Sequence, residues 1–404
     1  METEVRIAGA KPVNRRMGEL DSLRGLAAVS VALCHLVGGC LSVSKPIGRW
    51  DLLLKLAYPL YAGPEAVRLF FVLSGMVLAI SFGLNGRHQS YPTFLIRRVT
   101  RIYLPYLAAL ILTVWGASIW HGHIERSTMP DCCWSNPVDH RLVLQHVLFL
   151  GNYDFSQFNP VFWSLIHEMR ISLIFPLLFA VVQRLRNRSA ILLAFACSLI
   201  AMVIRRFFPG WVSPIPFTSL VMTVHYLGLF IVGILLARNL EAIERWYQRL
   251  SVPVRIALFT VSYLAYAYTG VLANLAVGSH QKSVILISDW SAALGTVGLI
   301  VTIHCSVLAC RLMHKSIPVF LGRISYSLYL THTPVLLVLA FVAQRHGMLR
   351  SSIIIPLFLL LTPLVAYAFC VGVEEPCANL GRRLSRSKSA ARAVEQPLAQ
   401  HADA

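Results

Sequence analysis

Charged residues are scarce in this sequence: they make up 13% of its 404 residues, whereas hydrophobic residues make up 56%. A soluble domain averages about 25% charged and 45–50% apolar residues. Apolar runs of membrane length recur along the chain, which excludes a soluble globular protein. The composition therefore predicts an all-α integral membrane protein, a polytopic bundle of about ten transmembrane helices.

Acidic residues are scarcer still, with 18 Asp and Glu against 36 Lys and Arg, a formal net charge of +18. In a soluble protein this excess would suggest a nucleic-acid partner. Here the basic residues lie in short loops between apolar segments, a pattern typical of membrane topology signals. We therefore expect the lipid bilayer as a partner and no nucleic acid.

Neither a cleavable signal peptide nor a metal site formed by cysteines is expected. Residues 1–19 are polar and basic, and the first apolar run has no small-residue cleavage site. The nine cysteines show no metal-ligand spacing, and most lie in apolar runs as small hydrophobic residues. Cys132 and Cys133 fall in a loop, where neither position nor number establishes a disulfide. No metal site is predicted.

A membrane span needs about 20 mostly apolar residues. Ten segments meet this length: approximately 20–42, 64–84, 99–120, 161–183, 189–208, 217–238, 254–276, 289–310, 321–343 and 351–373. A shorter apolar stretch at 141–152 is more typical of a re-entrant or interfacial helix.

The distribution of basic residues predicts the orientation. Lys and Arg number 23 on one side of the ten spans and 10 on the other, and only Arg24, Arg68 and Arg170 lie outside the loops. The richer side should be cytoplasmic, with both termini inside, in a multi-pass protein of the cell (inner) membrane. We expect a cytoplasmic N-terminal segment at 1–19, a membrane domain at 20–375 and a disordered cytoplasmic tail at 376–404.

An arginine and a histidine interrupt the first apolar run, DSLRGLAAVSVALCHL. At about 100° per residue, Arg24 and His35 share one helix face, roughly 16 Å apart along the axis. Ionisable groups inside a membrane are costly and usually functional. One alternative is that Arg24 snorkels to lipid phosphates and His35 binds a neighbouring carbonyl. The favoured interpretation makes His35 the base that deprotonates a hydroxyl.

Glu168, in FWSLIHEMR, is the one carboxylate deep within a predicted span. It lies roughly 12 Å below the outer surface, at a depth similar to that of His35. It would orient His35 or act on the substrate, or it would pair with His167 or Arg170 on its own helix; both interpretations stay open. Trp163 is either an interfacial belt residue or a platform for a sugar ring.

Arg98 and Arg101, in IRRVTRIYLPY, are three residues apart and so share a helix face at the cytoplasmic level of Arg24. They are either positive-inside anchors or a clamp for phosphates. His332 reaches about mid-membrane, and Pro334 after it predicts a kink that exposes backbone groups to a cavity. This layout favours a phosphate-bearing donor from inside and an acceptor hydroxyl from outside.

Five blocks in this order resemble the acyltransferase 3 family of integral membrane O-acyltransferases, over most of residues 18 to 375. The blocks are ELDSLRGLAAVSVALCHL, GPEAVRLFFVLSGMVLAI, RRVTRIYLPY, FWSLIHEMR and ISYSLYLTHTPV. One departure is that Ile171 and Ser172 stand where family members often have aromatic residues after the glutamate.

The resemblance implies transfer of an acyl group, often acetyl, from cytoplasmic acetyl-CoA or another acyl-CoA to a hydroxyl of a surface glycan or glycolipid. No tightly bound cofactor is expected. The implied roles are catalytic for His35 and Arg24, which the family requires, and for Glu168. The remaining site residues are assigned to donor phosphates (Arg98, Arg101) and to substrate binding (Trp163, His332).

Acceptors compatible with the family include exopolysaccharide, lipopolysaccharide O-antigen, peptidoglycan-linked sugar and a secreted lipo-oligosaccharide. The main rival interpretation is a proton-coupled transporter or flippase of a glycan precursor, in which His35 and Glu168 relay protons. The sequence contains no inverted repeat or paired interrupted helices that would support it. A non-enzymatic membrane scaffold leaves both residues without a role.

Overall fold

Helices make up the regular structure of the chain. The computed structural model describes residues 17–38, 53, 55–84, 90–122, 124, 133–149, 153–211, 219–277, 282–348 and 350–385. No strand occurs within these ranges. The α-helices are α1 Gly18–Leu36, α2 Gly63–Ala79, α3 Tyr91–Arg98, α4 Leu104–Ile119, α5 His140–Leu148, α6 Phe162–Arg184, α7 Asn187–Phe207, α8 Leu220–Arg238, α9 Leu240–Arg249, α10 Val252–Ala267, α11 Thr269–Val277, α12 Lys282–Cys305, α13 Val307–Met313, α14 Ser316–Arg345 and α15 Ser351–Phe369.

Eight helices in the described ranges are long and apolar enough to cross a membrane. They are Lys55–Leu84, Tyr91–Ile119, Phe162–Arg184, Asn187–Phe207, Leu220–Arg238, Ile285–Cys305, Ser316–Arg345 and Ser352–Ser385. Large apolar side chains such as Leu177 and Leu192 are 69% exposed, as expected for a surface that faces lipid. The expectation of an all-α, multi-pass membrane protein is therefore confirmed.

The other two predicted spans coincide with helices that do not meet the same criteria. α1 has 19 residues and carries Glu19, Asp21 and Arg24 in its first two turns. α10 has 16 residues, and a turn at Tyr268 separates it from α11. A total of ten spans thus stays a prediction.

Two boundaries differ from those that the sequence predicts. α12 begins at Lys282, so Asp289 lies inside the helix and is fully buried, whereas the sequence placed it at the edge of a span. A carboxylate other than the half-buried Glu168 therefore lies deep within a spanning helix. At the other end of the chain, the last helix continues to Ser385, so residues 376–385 are helical where a disordered tail was expected.

The first helix is central to the packing of the bundle, because α1 lies against both α2 and α14. Its crossing with α14 depends on two glycines. A Cβ on Gly25 would lie 2.4 Å from the backbone nitrogen of Gly322, and a Cβ on Gly322 would lie 2.6 Å from the carbonyl oxygen of Asp21. Small residues let membrane helices approach closely enough for their backbones to touch.

The remaining helices extend the bundle from these contacts. α2 packs on α8 and α12, α8 packs on α7, α12 packs on α10, and α14 packs on α15. One large apolar core runs through the bundle and includes residues from α1, α2, α4, α6, α8, α12 and α14. The fifth helix, α5, is capped by Asp139, whose carboxylate accepts from the backbone N–H of Arg141, and its 9 residues are too few to span.

Pro334 lies inside α14 and was predicted to free backbone groups. Proline has no N–H, so the carbonyl four residues earlier, that of Leu330, loses its helical donor. The Asn159 side-chain amide donates to this carbonyl at 3.0 Å. A buried side chain therefore satisfies the freed group, and the same bond fixes the segment that leads into α6.

Candidate functional site

α1 holds the two residues that the sequence placed on one face. The helix runs unbroken from Gly18 to Leu36, so the periodicity that aligns Arg24 with His35 applies throughout. Arg24 lies in the second turn and His35 in the last. The helix therefore carries a guanidinium near one end and an imidazole near the other, roughly 16 Å apart along the axis.

The structure brings His332 of α14 against His35. The Nε2 atom of His332 lies 3.1 Å from the Nδ1 atom of His35, and the ring centroids are 5.1 Å apart. His332, which the sequence analysis assigned to substrate binding, also lies 2.9 Å from the Leu328 carbonyl oxygen through its Nδ1. The two histidines are therefore a hydrogen-bonded pair.

The geometry assigns the proton positions on the pair. A carbonyl oxygen only accepts, so Nδ1 of His332 carries the hydrogen that it donates to Leu328, and its Nε2 is an acceptor in the neutral ring. Nδ1 of His35 must then be the donor in the bond between the rings; it also lies 3.1 Å from the Val31 carbonyl oxygen. In the neutral pair, Nε2 of His35 therefore has a lone pair and no hydrogen.

Burial differs between the two rings. His332 is fully buried, whereas His35 is half-buried. Only His35 presents part of its surface to an incoming molecule, so His35 is the member of the pair that can meet a substrate. His332 holds its neighbour in one tautomer and one orientation, as a second residue commonly does for a catalytic histidine.

The arginines predicted to bind phosphate are grouped. Arg24, Arg98 and Arg101 lie within electrostatic range of one another, and Glu168 lies within range of Arg24 and Arg98. The nearest charged contact joins Nη1 of Arg98 to Oε1 of Glu168 at 3.9 Å, at the outer limit for an ion pair. Within the described ranges no guanidinium of the three donates a hydrogen bond to protein, so these donors are available to an anion.

Glu168 belongs to this arginine group. Its Oε1 accepts from the Ser74 hydroxyl at 3.0 Å, in addition to the contact with Arg98. Of the two partners considered for Glu168 on its own helix, Arg170 donates to the Phe149 carbonyl oxygen at 3.0 Å, and His167 Nδ1 lies 2.8 Å from the Thr223 hydroxyl. Within the described part of the chain, the side chain that contacts His35 is that of His332.

A π-helical segment, Val99–Tyr103, joins α3 to α4. The sequence placed Arg98 and Arg101 on one face by assuming α-helical spacing, and that spacing does not hold here because a π-turn contains more residues. Arg98 is half-buried, whereas Arg101 is exposed. Such segments are frequent at functional sites, and both guanidinium groups here lie within electrostatic range of Arg24.

Trp163 packs inside an aromatic cluster near the start of α6. Its ring centroid lies 6.1 Å from that of Phe71, 5.6 Å from that of Tyr226 and 6.1 Å from that of His167. Phe71 and Tyr226 are buried, and Trp163 is half-buried. The exposed part of its ring is therefore held rigidly by neighbours in α2, α6 and α8.

The sequence analysis did not predict a second cluster of buried charged residues. Oδ1 of Asp289 contacts Nη2 of Arg68 at 2.6 Å, and Oδ2 of Asp289 contacts Nε2 of His225 at 2.9 Å. This cluster joins α2, α8 and α12 near the ends where these helices start. Arg68 was the available signal, because it is an arginine inside a predicted span; its partners lie far away in sequence.

Comparison with known proteins identifies related chains. A family described as an acyltransferase domain matches residues 17–373. Acyltransferase MdmB of Streptomyces mycarofaciens is 30% identical over 174 residues, which cover 43% of this chain and 42% of that protein. The match thus spans less than half of the relative's length. No solved structure matches the chain.

Proposed function

The chain belongs to the acyltransferase family, and from this membership we propose a membrane O-acyltransferase that uses acyl-CoA and a sugar hydroxyl. The donor enters from the cytoplasm and carries acetyl. The acceptor is a polysaccharide or glycolipid on the other side of the cell (inner) membrane. The observation that carries the proposal is the unprotonated Nε2 of His35 on the same helix face as the Arg24 guanidinium.

Donor binding is assigned to the arginine group. The phosphates of acyl-CoA are the anions that planar guanidinium forks bind best, through paired hydrogen bonds. Arg98 and Arg101 would contact them from the helix that contains the π-turn, and Arg24 would do so from α1. The pantetheine arm then extends along α1, so that the thioester reaches the level of His35, roughly 16 Å away.

The chemical step is assigned to His35. Its Nε2 removes the proton of the acceptor hydroxyl as the hydroxyl oxygen attacks the thioester carbonyl carbon. The C–O bond forms, the C–S bond breaks, and the leaving thiolate takes the proton back from Nε2. The products are the sugar ester and free CoA, so no acyl group has to be carried on the enzyme. An acyl-histidine intermediate is the less favoured variant.

His332 is a positioning residue in this scheme. Its Nε2 accepts from Nδ1 of His35, and this bond becomes stronger once His35 carries the positive charge of an imidazolium. The arrangement parallels the use of a carboxylate beside a catalytic histidine, with a neutral acceptor in its place. Glu168, which contacts Arg98 and Ser74, would position the arginine group. Trp163 would contact the acceptor sugar.

Mass spectrometry of surface glycans tests the proposal. Cells that lack the gene should lose O-acetyl groups from one glycan, and the wild-type chain should restore them, whereas His35→Ala should not. The rival flippase or transporter makes a different prediction: the glycan changes its location, and its acetyl content per molecule stays the same. Unchanged acetylation of every surface glycan in the deletion strain would refute the acetyl donor and the acceptor class together.

A further inference from the structure

A group of metal-type ligands lies at the end of α1 that carries Arg24, apart from the proposed active site. One ligand atom each from Glu19, Cys310 and His314 lies within 4.8 Å of the others. Glu19 is in the first turn of α1, and the other two residues are at the end of α13, one helical turn apart. The group therefore joins two helices that are nearly 300 residues apart in sequence.

His314 already has the geometry of a metal-binding histidine. Its Nδ1 lies 2.7 Å from the carbonyl oxygen of Cys310 and 3.7 Å from the sulfur of the same residue. The carbonyl oxygen only accepts, so Nδ1 carries the hydrogen and donates it. Nε2 of the neutral ring is then a lone-pair atom. It faces Oε2 of Glu19 at 3.8 Å, so two acceptors point at each other. In metal sites one ring nitrogen binds the ion while the other donates to a backbone carbonyl.

Glu19 is held in place by a second histidine. Nδ1 of His304 contacts Oε1 of Glu19 at 2.8 Å, and its Nε2 contacts Oε1 of Glu244 at 2.6 Å. Carboxylate oxygens accept, so His304 carries both hydrogens as an imidazolium. The three groups together have a charge of minus one, and this negative charge lies beside the thiol of Cys310 and the lone pair of His314.

We propose that Glu19, Cys310 and His314 bind one zinc ion, with His304 and Glu244 orienting the glutamate. Zinc takes nitrogen, sulfur and oxygen ligands at about 2.0–2.3 Å, which places the ligand atoms of one tetrahedral site roughly 3.3–3.8 Å apart. An oxygen and a nitrogen ligand are roughly 3.3 Å apart in such a site, so the 3.8 Å between Oε2 and Nε2 shortens by about 0.5 Å when the ion binds. The Cys310 thiol releases its proton to water when the ion binds. Water completes the tetrahedron.

The purified full-length protein in detergent provides the test. After removal of bound metal with a chelator, titration with Zn²⁺ against a chromogenic competitor should show one site per chain. Titration with Co²⁺ should produce the near-ultraviolet absorption of a thiolate–cobalt bond. Cys310→Ser should lose this absorption and the zinc site, whereas His314→Gln should weaken zinc binding by at least about tenfold and show the thiolate–cobalt absorption only at raised Co²⁺ concentration.

Two further variants make the assignment specific. Glu244→Gln removes only an outer contact and should weaken zinc binding by about 10–100-fold. His35→Ala tests whether the pair of His35 and His332 binds the zinc ion instead, and it should leave the affinity for zinc unchanged. Size-exclusion elution as for the wild type shows that each variant is folded. The proposal is overturned if the wild type binds no zinc, or if Cys310→Ser and His314→Gln both bind it as the wild type does.

Discussion

At the residue scale, the central point is that His35 and His332 differ in what they can do although they are chemically identical. The hydrogen bonds to Leu328 and between the rings use both nitrogens of His332 and Nδ1 of His35, which leaves Nε2 of His35 as the nitrogen that can accept a proton. Of the two rings, only that of His35 is partly exposed. A general base contributes typically about 10²–10⁴-fold to a proton-transfer step. Replacing His35 by a residue that cannot accept a proton should therefore lower the rate by this factor.

His35→Gln and His35→Ala should both reduce acyl transfer by roughly 10²–10⁴-fold. Glutamine forms hydrogen bonds but cannot take up the proton, so it should not rescue the alanine variant. In the wild type the rate should fall as the pH is lowered through the pKa of His35, because the protonated ring has no lone pair. Transfer is measured with labelled acetyl-CoA in proteoliposomes, and membrane insertion is checked by fractionation. An active glutamine variant would contradict the base role.

His332 permits a finer distinction. Glutamine at this position offers an oxygen that can accept from Nδ1 of His35, whereas alanine offers nothing. His332→Gln should therefore retain more activity than His332→Ala, with kcat reduced and KM for acyl-CoA unchanged in both. A purely structural role would instead lower the amount of folded protein in both variants and leave kcat per folded molecule as in the wild type.

The adjacent arginines provide a matched pair for the donor site. Arg98 faces Glu168, whereas Arg97 is exposed and donates to the hydroxyl of Ser385. A hydrogen bond to a charged group contributes about 1.5–3 kcal/mol, so Arg98→Ala should raise KM for acyl-CoA roughly 10–100-fold. Arg98→Lys should recover part of this, since lysine lacks the planar fork. Arg97→Ala is the control. An equal rise in KM in that variant would show that both arginines act only as topology signals.

At the element scale, the sequence predicts the features that are local to one helix. The periodicity that aligns Arg24 with His35 is a property of α1 alone, and it holds because that helix is unbroken. The pairing of His35 with His332 joins α1 to α14 and leaves no local pattern. The contact of Arg68 with Asp289 also joins two helices, so no local pattern predicts it. The π-turn at Val99–Tyr103 changes a residue spacing that the sequence suggests is α-helical.

Asn159 makes a testable contribution to the packing of elements. Its amide satisfies the Leu330 carbonyl that Pro334 leaves without a donor, inside the bundle. Asn159→Leu should leave that buried acceptor unsatisfied and destabilise the protein by about 1–3 kcal/mol. The measurement is the thermal unfolding midpoint in detergent, with Asn136→Leu at an exposed position as the control. Equal midpoints for the two variants would show that the bond contributes nothing.

At the scale of the whole molecule, the proposed chemistry requires that the two ends of α1 face opposite sides of the membrane. In the part of the chain that the structure describes, eight helices are long and apolar enough to span, and α1 carries too many ionisable residues in its first turns to be one of them. Its apolar part from Gly25 to Leu36 nevertheless packs between α2, which continues as a spanning helix, and α14. On the face of α1 that holds Arg24 and His35, His332 of α14 lies against His35.

The other predicted span that does not meet these criteria is formed by α10 and α11, and it gives a topological prediction. α10 has 16 residues, about 24 Å of helix, against a hydrocarbon core of roughly 30 Å. α11 follows after the turn at Tyr268, so the two together exceed that thickness as a broken helix. We predict that they cross the membrane, which gives ten spans with both termini inside, as the excess of 23 over 10 basic residues also indicates. Reporters fused after residues 250 and 404 should both be cytoplasmic, and one fused after residue 280 should not. If the reporter after residue 280 is cytoplasmic as well, α10 and α11 lie on one side, and every orientation assigned to the chain beyond them must be reversed.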